Sequence, residues 1–212
     1  MIDPLGGPAY WWPFILGFAI SYLIGSIPFG LILTRIFGAG DLRAIGSGNI
    51  GATNVLRTGR KSLALATLLL DALKGALPVW IGGNFFGPDM AIVAGLGAII
   101  GHCYPIWLKF NGGKGVATAA GVVLSLTPLA GFLALVVFLI VVALTRYVSL
   151  SSLLAAVSAA PLAYVLGHVQ AAELYLLVAV IIIIKHHENL RRLLTGKEAK
   201  LSFSKKPPAE EA

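Results

Sequence analysis

The residues best suited to chemistry form a segment rich in glycine and amides between Asp41 and Arg57. Three glycines within six residues allow successive backbone N–H groups to face one point, and nearby hydroxyl and amide side chains add donors. Its arginines supply charge that suits a phosphate, although a flexible loop with arginines that only set topology would have the same composition. The candidate site residues are Arg43, Ser47, Gly48, Asn49, Thr53, Asn54 and Arg57.

A second glycine-rich segment, residues 111–118, directly precedes a predicted helix. Glycine amides, a lysine and a helix N-terminus would converge there, as in sites where backbone groups bind an anion. The segment lacks the full G-x-x-x-x-G-K-[ST] spacing and no strand precedes it, so a nucleotide-binding P-loop is not predicted. A tight re-entrant turn without a ligand is the alternative. The candidates here are Gly112, Gly113, Lys114 and Gly115.

The third polar segment follows the last apolar run and contains His186 and Asn189. Residues three apart share a helical face, so the imidazole and the amide could address one ligand, the first as a base or donor and the second as an orienting group. A histidine at a membrane boundary can also be purely interfacial. Arg191 and Arg192 are expected to contact anionic lipid headgroups.

Two further pairs of polar residues are weaker candidates. Asp71 and Lys74 lie three residues apart within an apolar run, where charged groups usually face a cavity or a partner. An ion pair that only joins helices is the alternative. Arg146 and Ser149 are predicted at the same membrane face as the three segments above, where a role in topology and helix capping is an equally simple explanation.

The composition of the chain predicts that these segments are positioned by membrane helices. Of 212 residues, 58% are hydrophobic and 12% are charged, and the mean hydropathy is +0.88. A soluble globular protein is therefore excluded. The single cysteine, Cys103, excludes an internal disulfide and a cysteine-cluster metal site. Because the basic residues behind the net charge of +7 stand between apolar runs, they indicate topology and not nucleic-acid binding.

The hydropathy pattern predicts one membrane-embedded domain over residues 1–212 with seven helices. A turn formed by Gly82-Gly83-Asn84 followed by Gly87-Pro88 is expected to close the second helix. Thr127-Pro128 divides one long apolar run into two. The cytoplasmic tail is predicted over residues 197–212. The predicted spans cover about 11–34, 62–82, 90–108, 115–127, 129–145, 149–166 and 173–186.

The distribution of charge supports that count. With seven spans, every lysine and arginine except Lys74 lies on one side, whereas six spans divide them almost evenly. Because cytoplasmic loops hold the positive charge, the N-terminus is predicted outside and the C-terminus in the cytoplasm. The fourth helix would be only about 20 Å long against a hydrocarbon core of about 30 Å. The loop before it should thus be recessed, where irregular backbone must be buried or line a polar cavity.

These blocks together resemble the bacterial acyl-phosphate:glycerol-3-phosphate acyltransferase family. They follow one another in family order from residue 25 to about residue 200, so the resemblance spans nearly the whole chain. Residues 1–8 and 207–212 carry no motif. The matching blocks are Gly25–Gly30, Gly46–Asn54 with Arg57, Gly112–Thr118, and His186 with Asn189, Gly196 and Glu198.

The resemblance implies an enzyme with seven transmembrane helices in the bacterial inner membrane and an active site facing the cytoplasm. It implies transfer of an acyl group from a long-chain acyl phosphate to the 1-hydroxyl of glycerol 3-phosphate. The product would be lysophosphatidic acid, in the first acylation step of phospholipid synthesis. By the same resemblance, Ser47, Arg57, His186 and Asn189 matter for activity, residues 112–115 bind glycerol phosphate, and Glu198 supports the structure.

The chemistry of the implied substrates fits the residues. An acyl phosphate is a mixed anhydride with a good leaving group, so neither a metal, another cofactor nor a covalent serine is required. The implied partners are glycerol 3-phosphate, long-chain acyl phosphate and membrane lipids, without nucleic acid. We hypothesise direct attack of the hydroxyl on the acyl carbonyl, with Lys114 and Arg57 holding phosphate. His186 or the leaving phosphate would take the proton, and Ser47 as a nucleophile is less favoured because no triad spacing surrounds it.

A membrane transporter of organic phosphates is the alternative function. It too would need several membrane helices, a recessed glycine loop and charges near the midplane such as Asp71 and Lys74. The absence of an evident inverted repeat counts against it. Acylation of glycerol 3-phosphate by the purified protein, as opposed to uptake into vesicles, separates the two classes.

Overall fold

The computed structural model describes residues 10–201, and within that range it contains helices and no β-strand. The prediction of an all-α protein is therefore confirmed. Residues 202–212 of the predicted tail lie outside the described residues. The α-helices are α1 Trp11–Gly25, α2 Phe29–Ile36, α3 Ala52–Leu56, α4 Lys61–Phe86, α5 Pro88–Cys103, α6 Val116–Leu126, α7 Pro128–Thr145, α8 Val148–Val165, α9 Val169–Lys185 and α10 His187–Leu194.

Five helical segments of this range are long and apolar enough to cross a membrane. A sixth is formed by α9 and α10 together, which meet at a bend of 65°. The helix α6 is apolar but has only 11 residues, or about 17 Å of rise. It is too short to cross a hydrocarbon core of about 30 Å, as the sequence predicts for its fourth helix.

The first predicted span corresponds to one candidate membrane span, Trp11–Ile36, which consists of two helices. The structure breaks it between α1 and α2, because Pro28 has no N–H to continue the helical ladder. Ser26 caps the end of α1, since its backbone N–H and its hydroxyl both donate to the Tyr22 carbonyl oxygen, at 2.8 and 2.7 Å. The path of the chain here is thus two helices joined at a break, which leaves the Ile27 carbonyl oxygen inside the bundle.

The turn predicted after the second span is wrong at residues 82–84 and confirmed at Gly87-Pro88. The helix α4 continues through both glycines to Phe86, and the chain turns only at Gly87, whose φ is +93°. A Cβ on Gly82 would lie 3.1 Å from the Met90 carbonyl oxygen, so this glycine allows α4 and α5 to approach closely. The third predicted span, 90–108, ends early as a helix, since α5 stops at Cys103 and a 3₁₀ turn covers Ile106–Leu108. The last span starts four residues earlier than predicted, at Val169.

Small residues determine how the helices pack. The helix α1 packs on α5, and α4 packs on both α5 and α6. A Cβ on Gly101 of α5 would lie 2.1 Å from the Tyr22 carbonyl oxygen, and one on Gly121 of α6 would lie 1.9 Å from that of Ala72. In lipid, where apolar surface alone does not drive association, such close backbone approach supplies the packing energy.

A second group of helices, α7, α8 and α9, completes the bundle. The buried core here is built from alanines, valines and leucines, with the large side chain of Tyr175 at its centre. The Tyr175 hydroxyl lies 2.7 Å from the Thr127 hydroxyl, so α9 is joined to the turn between α6 and α7. Gln170 donates to Asp89 at 2.6 Å and joins α9 to the start of α5.

We expect Gly101→Ala to destabilise the protein by at least about 1–3 kcal/mol, because the added methyl group would overlap with backbone that cannot move alone. Thermal unfolding in detergent measures the loss. The matched control is Gly83→Ala, where the new Cβ would be 3.4 Å from the Ala91 Cβ, an ordinary contact. Equal melting temperatures for the two variants would contradict this account of the packing.

Candidate active site

The three polar segments predicted from the sequence come together at one end of the bundle. Lys114 of the glycine loop donates to the Asn189 Oδ1 of α10, which joins the second segment to the third. The positive charge of Arg57 contributes to lowering the pKa of Lys114, so the first segment lies within electrostatic range of the same group. The Lys185 ammonium donates to the Cys103 carbonyl oxygen at 3.1 Å and holds the end of α9 against the end of α5.

The first segment is organised around a buried amide. The Nδ2 group of Asn54 donates to the carbonyl oxygens of Leu42, Ile45 and Asn49 at 2.8, 3.0 and 2.8 Å, and its Oδ1 accepts from the Ser47 N–H at 3.4 Å. Since buried amides need their partners, this side chain fixes the path of the loop. In place of the predicted contact with a substrate, Asn54 therefore has a structural role.

Three other members of this segment remain open to a ligand. The side chains of Ser47, Thr53 and Arg57 are exposed. Gly46, with φ of +56°, leaves room for the Arg57 guanidinium, because a Cβ there would lie 2.4 Å from its Nη1. The guanidinium is thus held over the loop backbone, next to the residue that precedes Ser47.

The remaining predicted residues of the first segment shape the loop. Arg43 forms an exposed bidentate pair with Asp41, with a shortest distance of 2.7 Å, so its charge is already matched within the loop. The Arg43 hydrogen bonds lower the pKa of Asp41 to about 2. Asn49 Oδ1 accepts from the Gly51 N–H at 3.0 Å, and Gly48, with φ of +66°, donates its N–H to the Ile45 carbonyl oxygen at 2.9 Å.

The glycine loop before α6 differs from the anion cradle expected from sequence. The Gly112 and Gly113 N–H groups donate to the carbonyl oxygens of Cys103 and His102 at 3.2 and 3.1 Å. These two amides therefore complete the end of α5 and do not face a ligand, which corrects the prediction. Gly115 has φ of +84° and starts α6. The loop contributes its charge through the side chain of Lys114.

Lys114 belongs to a hydrogen-bonded network that joins three parts of the chain. Lys114 donates to Asn189 Oδ1, and the Nδ2 group of the same amide donates to Glu198 Oε1 at 2.6 Å. Glu198 Oε2 in turn accepts from Arg192 Nε at 2.6 Å. Two cations and one carboxylate are thus linked through a single amide. The sequence analysis expects Arg192 to contact only lipid headgroups, whereas in the structure it also binds Glu198.

The electrostatics of this network favour an added anion. Burial, with the positive charges of Arg192 and Arg57, lowers the pKa of Lys114 to about 8, although the nearby carboxylates of Glu198 and Glu188 oppose the shift. Burial raises the pKa of Glu198, but the Ser149, Asn189 and Arg192 side chains around it lower that pKa by more, so it stays ionised. A phosphate bound beside this ammonium would raise the lowered pKa again, because the negative charge stabilises the protonated form.

His186 stands at the bend between α9 and α10 and is buried. Its Nδ1 lies 2.8 Å from the Ile182 carbonyl oxygen, which can only accept, so Nδ1 carries the proton. The lone pair is therefore on Nε2, which accepts no hydrogen bond from the residues that the structure describes. Lys114 and Glu198 lie within electrostatic reach of this ring. The imidazole is thus poised to accept a proton or a hydroxyl group's hydrogen bond.

Arg146 does not join this cluster as predicted. Its N–H groups donate to the Leu201 carbonyl oxygen at 3.0 and 3.3 Å, and its own carbonyl oxygen accepts from the Leu201 N–H at 2.7 Å. It thereby anchors the segment that carries Glu198. Ser149 is buried next to that carboxylate. Among residues 10–201, no group of three or more histidine, cysteine, aspartate or glutamate side chains could hold a metal ion.

The profile of the family described as glycerol-3-phosphate acyltransferase matches residues 15–196. The chain belongs to this family. A glycerol-3-phosphate acyltransferase of Nitrobacter winogradskyi is 54% identical over 187 residues, which cover 88% of this chain and 95% of that relative. One of Mesorhizobium japonicum is equally similar, with the same coverage of both chains.

Solved structures of the same family share the fold. The crystal structure of PlsY (YgiH), an integral membrane glycerol 3-phosphate acyltransferase, in its glycerol 3-phosphate form has a TM-score of 0.86 and 39% identity to this chain. The match covers 90% of this chain and 96% of PlsY. Its lysophosphatidic acid form has a TM-score of 0.84. The family and its membrane helices identify this chain as an integral membrane protein, as the sequence predicts.

Proposed function

We propose that this protein transfers the acyl group of a long-chain acyl phosphate to the 1-hydroxyl of glycerol 3-phosphate. The products are 1-acyl-glycerol 3-phosphate, which is lysophosphatidic acid, and inorganic phosphate. The observation that carries this proposal is the network in which Asn189 joins Lys114 to Glu198 and Arg192, with the charge of Arg57 within electrostatic range of Lys114. Beside it, His186 Nε2 accepts no hydrogen bond from the described residues, and the chain belongs to this acyltransferase family. The family relationship favours this function over transport of organic phosphates.

The cations give the substrates' phosphate groups a place to bind. We assign Lys114 and Arg57 to phosphate, with the exposed hydroxyls of Ser47 and Thr53 as further donors. Asn189 positions the Lys114 ammonium and is itself held by Glu198. A charge-assisted hydrogen bond to phosphate is stronger than a neutral one, and it becomes stronger still as charge develops on the leaving group.

The reaction needs one nucleophilic attack and one proton transfer. The glycerol oxygen forms a bond to the acyl carbonyl carbon, and the bond from that carbon to the phosphate oxygen breaks. His186 Nε2 takes the hydroxyl proton in our preferred scheme, since its Nδ1 is already a donor to Ile182. In the rival scheme, the departing phosphate takes that proton and His186 only binds the hydroxyl. Acyl phosphate is activated enough for either scheme to proceed without a metal or another cofactor.

The membrane topology follows from the charge pattern. We propose a single domain over residues 1–212 with seven helical segments in the bacterial inner membrane, the N-terminus outside and the C-terminus in the cytoplasm. The short α6 would then start below the cytoplasmic surface and place Lys114 there. This arrangement lets a soluble phosphate enter from the cytoplasm while a hydrocarbon chain stays in lipid.

One experiment tests the function and the orientation together. Inverted membrane vesicles containing the protein, supplied with palmitoyl phosphate and labelled glycerol 3-phosphate, should form labelled lysophosphatidic acid. Sealed vesicles of the opposite orientation should form it only after permeabilisation. Uptake of label without acylation would favour the transporter, and equal activity in both sealed preparations would contradict the orientation.

We expect His186→Ala to lower kcat by about 10²–10⁴, because the reaction would lose its general base. Steady-state kinetics with both substrates measure the change. If the variant mainly raises KM for glycerol 3-phosphate and keeps its kcat, the phosphate scheme is correct and His186 is a binding residue. His187→Ala is the matched control, because that imidazole is exposed and lies one residue further along.

We expect kcat/KM for glycerol 3-phosphate to fall above about pH 8, by about tenfold per pH unit in the limit of one proton lost. The sign follows from Lys114, which is charged below its lowered pKa and neutral above it. Lys114→Arg should remove this limb of the pH profile, since a guanidinium stays protonated, even if its overall activity is lower. An unchanged alkaline limb in this variant would show that another group causes it.

A further inference from the structure

A buried ion pair lies beneath the site and is not used by the chemistry proposed above. Lys74 Nζ is 2.8 Å from Asp71 Oδ1 on α4, and both side chains are almost completely buried. Buried ion pairs lose much of their attraction to the loss of hydration, so stability alone is a weak reason for one inside a membrane protein. The contacts of this pair with neighbouring elements indicate a more specific use.

The first contact leads to the break in the first span. Lys74 Nζ donates to the Ile27 carbonyl oxygen at 2.7 Å, between α1 and α2, and lies 5.7 Å from the ring centroid of Phe29. This ammonium therefore satisfies a backbone group that the proline break leaves inside the bundle. The position of the break is fixed relative to α4.

The second contact leads to the glycine loop. His102 Nδ1 lies 3.8 Å from Asp71 Oδ1, and the ring is fully enclosed at the end of α5. The His102 carbonyl oxygen accepts from the Gly113 N–H, and a Cβ on Gly113 would lie 2.1 Å from His102 Nε2. Gly113, the residue before Lys114, thus packs directly against the His102 imidazole.

We propose that Asp71, Lys74 and His102 are positioning residues that hold the glycine loop at the place from which Lys114 reaches Asn189. The ion pair packs against the His102 ring at 3.8 Å, a distance too long for a hydrogen bond, and so limits where the ring can lie. The ring and the His102 carbonyl fix Gly113, and Gly113 fixes the base of the Lys114 side chain. This inference deepens the proposed function and rests on it for its kinetic consequences. It gives the charges in the membrane a role in substrate binding without any contact with substrate.

The first test uses His102→Ala, which removes the imidazole that packs against Gly113 and keeps the backbone carbonyl that accepts from the Gly113 N–H. We expect KM for glycerol 3-phosphate to rise about tenfold or more with a smaller change in kcat, because the phosphate-binding ammonium is displaced. His102→Gln, which can place an amide nitrogen near the former Nε2, should recover part of the loss. The matched control is Tyr175→Phe, which removes a buried hydrogen bond far from the loop.

The control separates positioning from stability. Tyr175→Phe should lower the melting temperature and leave KM unchanged. If His102→Ala changes KM no more than Tyr175→Phe at a similar melting temperature, the proposal is overturned. Because Lys74→Met alone leaves Asp71 unpaired and can prevent folding, the ion pair is tested as the double variant Asp71→Asn, Lys74→Met. This variant should fold and show the same rise in KM, and an unchanged KM would contradict the role of the pair.

A double-mutant cycle tests whether His102 acts through Lys114. If it does, adding His102→Ala to Lys114→Ala should reduce kcat/KM little further, whereas independent effects would multiply. Multiplying effects would overturn the proposal.

Hydrogen exchange at the 112–114 amides provides a readout that does not depend on acylation. His102→Ala should speed their exchange at least about tenfold, while Tyr175→Phe should not. Unchanged exchange would refute the positioning role even if the enzyme is active. Faster exchange in a protein without acylation would instead refute only the proposed function.

Discussion

The hydrogen bonds from Gly112 and Gly113 to the last carbonyl oxygens of α5 are the interactions on which the rest of the site depends. They let the chain leave one helix and start a short one inside the bundle while two glycine N–H groups and two carbonyl oxygens of the turn are paired with each other. In a medium with little water, such irregular backbone is stable only when the protein itself supplies every partner. Glycine is required because the His102 carbonyl and ring occupy the space of a side chain.

Once this turn is fixed, one amide organises the charges around it. Asn189 accepts from Lys114 and donates to Glu198, and Glu198 accepts from Arg192. The carboxylate thereby holds the amide in the orientation that presents its oxygen to the lysine. Burial is the main reason that the pKa of Lys114 is lowered, and the positive charges of Arg192 and Arg57 add to the effect. The same charges favour the binding of a phosphate. The same network therefore both positions the Lys114 ammonium and places a second cation, Arg192, close to it.

Several predictions from sequence failed where a local pattern had two possible structural meanings. A Gly-Gly-Asn stretch is typical of a turn, yet residues 82–84 remain helical because α4 needs small residues against α5. Adjacent glycine amides are typical of an anion site, yet those of the 112–113 turn pair with backbone. An arginine at a helix end suggested a ligand contact, yet Arg146 binds the chain at Leu201. In each case a partner distant in sequence decided between the meanings.

The sequence by itself determined the class of the protein, its all-helical fold, its family and the three segments that form the site. Hydropathy and motif order suffice for these, because they depend on residue types along the chain. Only the tertiary structure decided which polar groups are free and which are consumed by the fold. The Asn54 amide and the glycine N–H groups are hydrogen-bonded within the fold, while the cationic groups of Lys114 and Arg57 and the Nε2 atom of His186 can still bind a ligand. The reason is physical: a hydrogen-bonding group is satisfied by whatever lies within about 3 Å of it, and sequence spacing does not fix that neighbour.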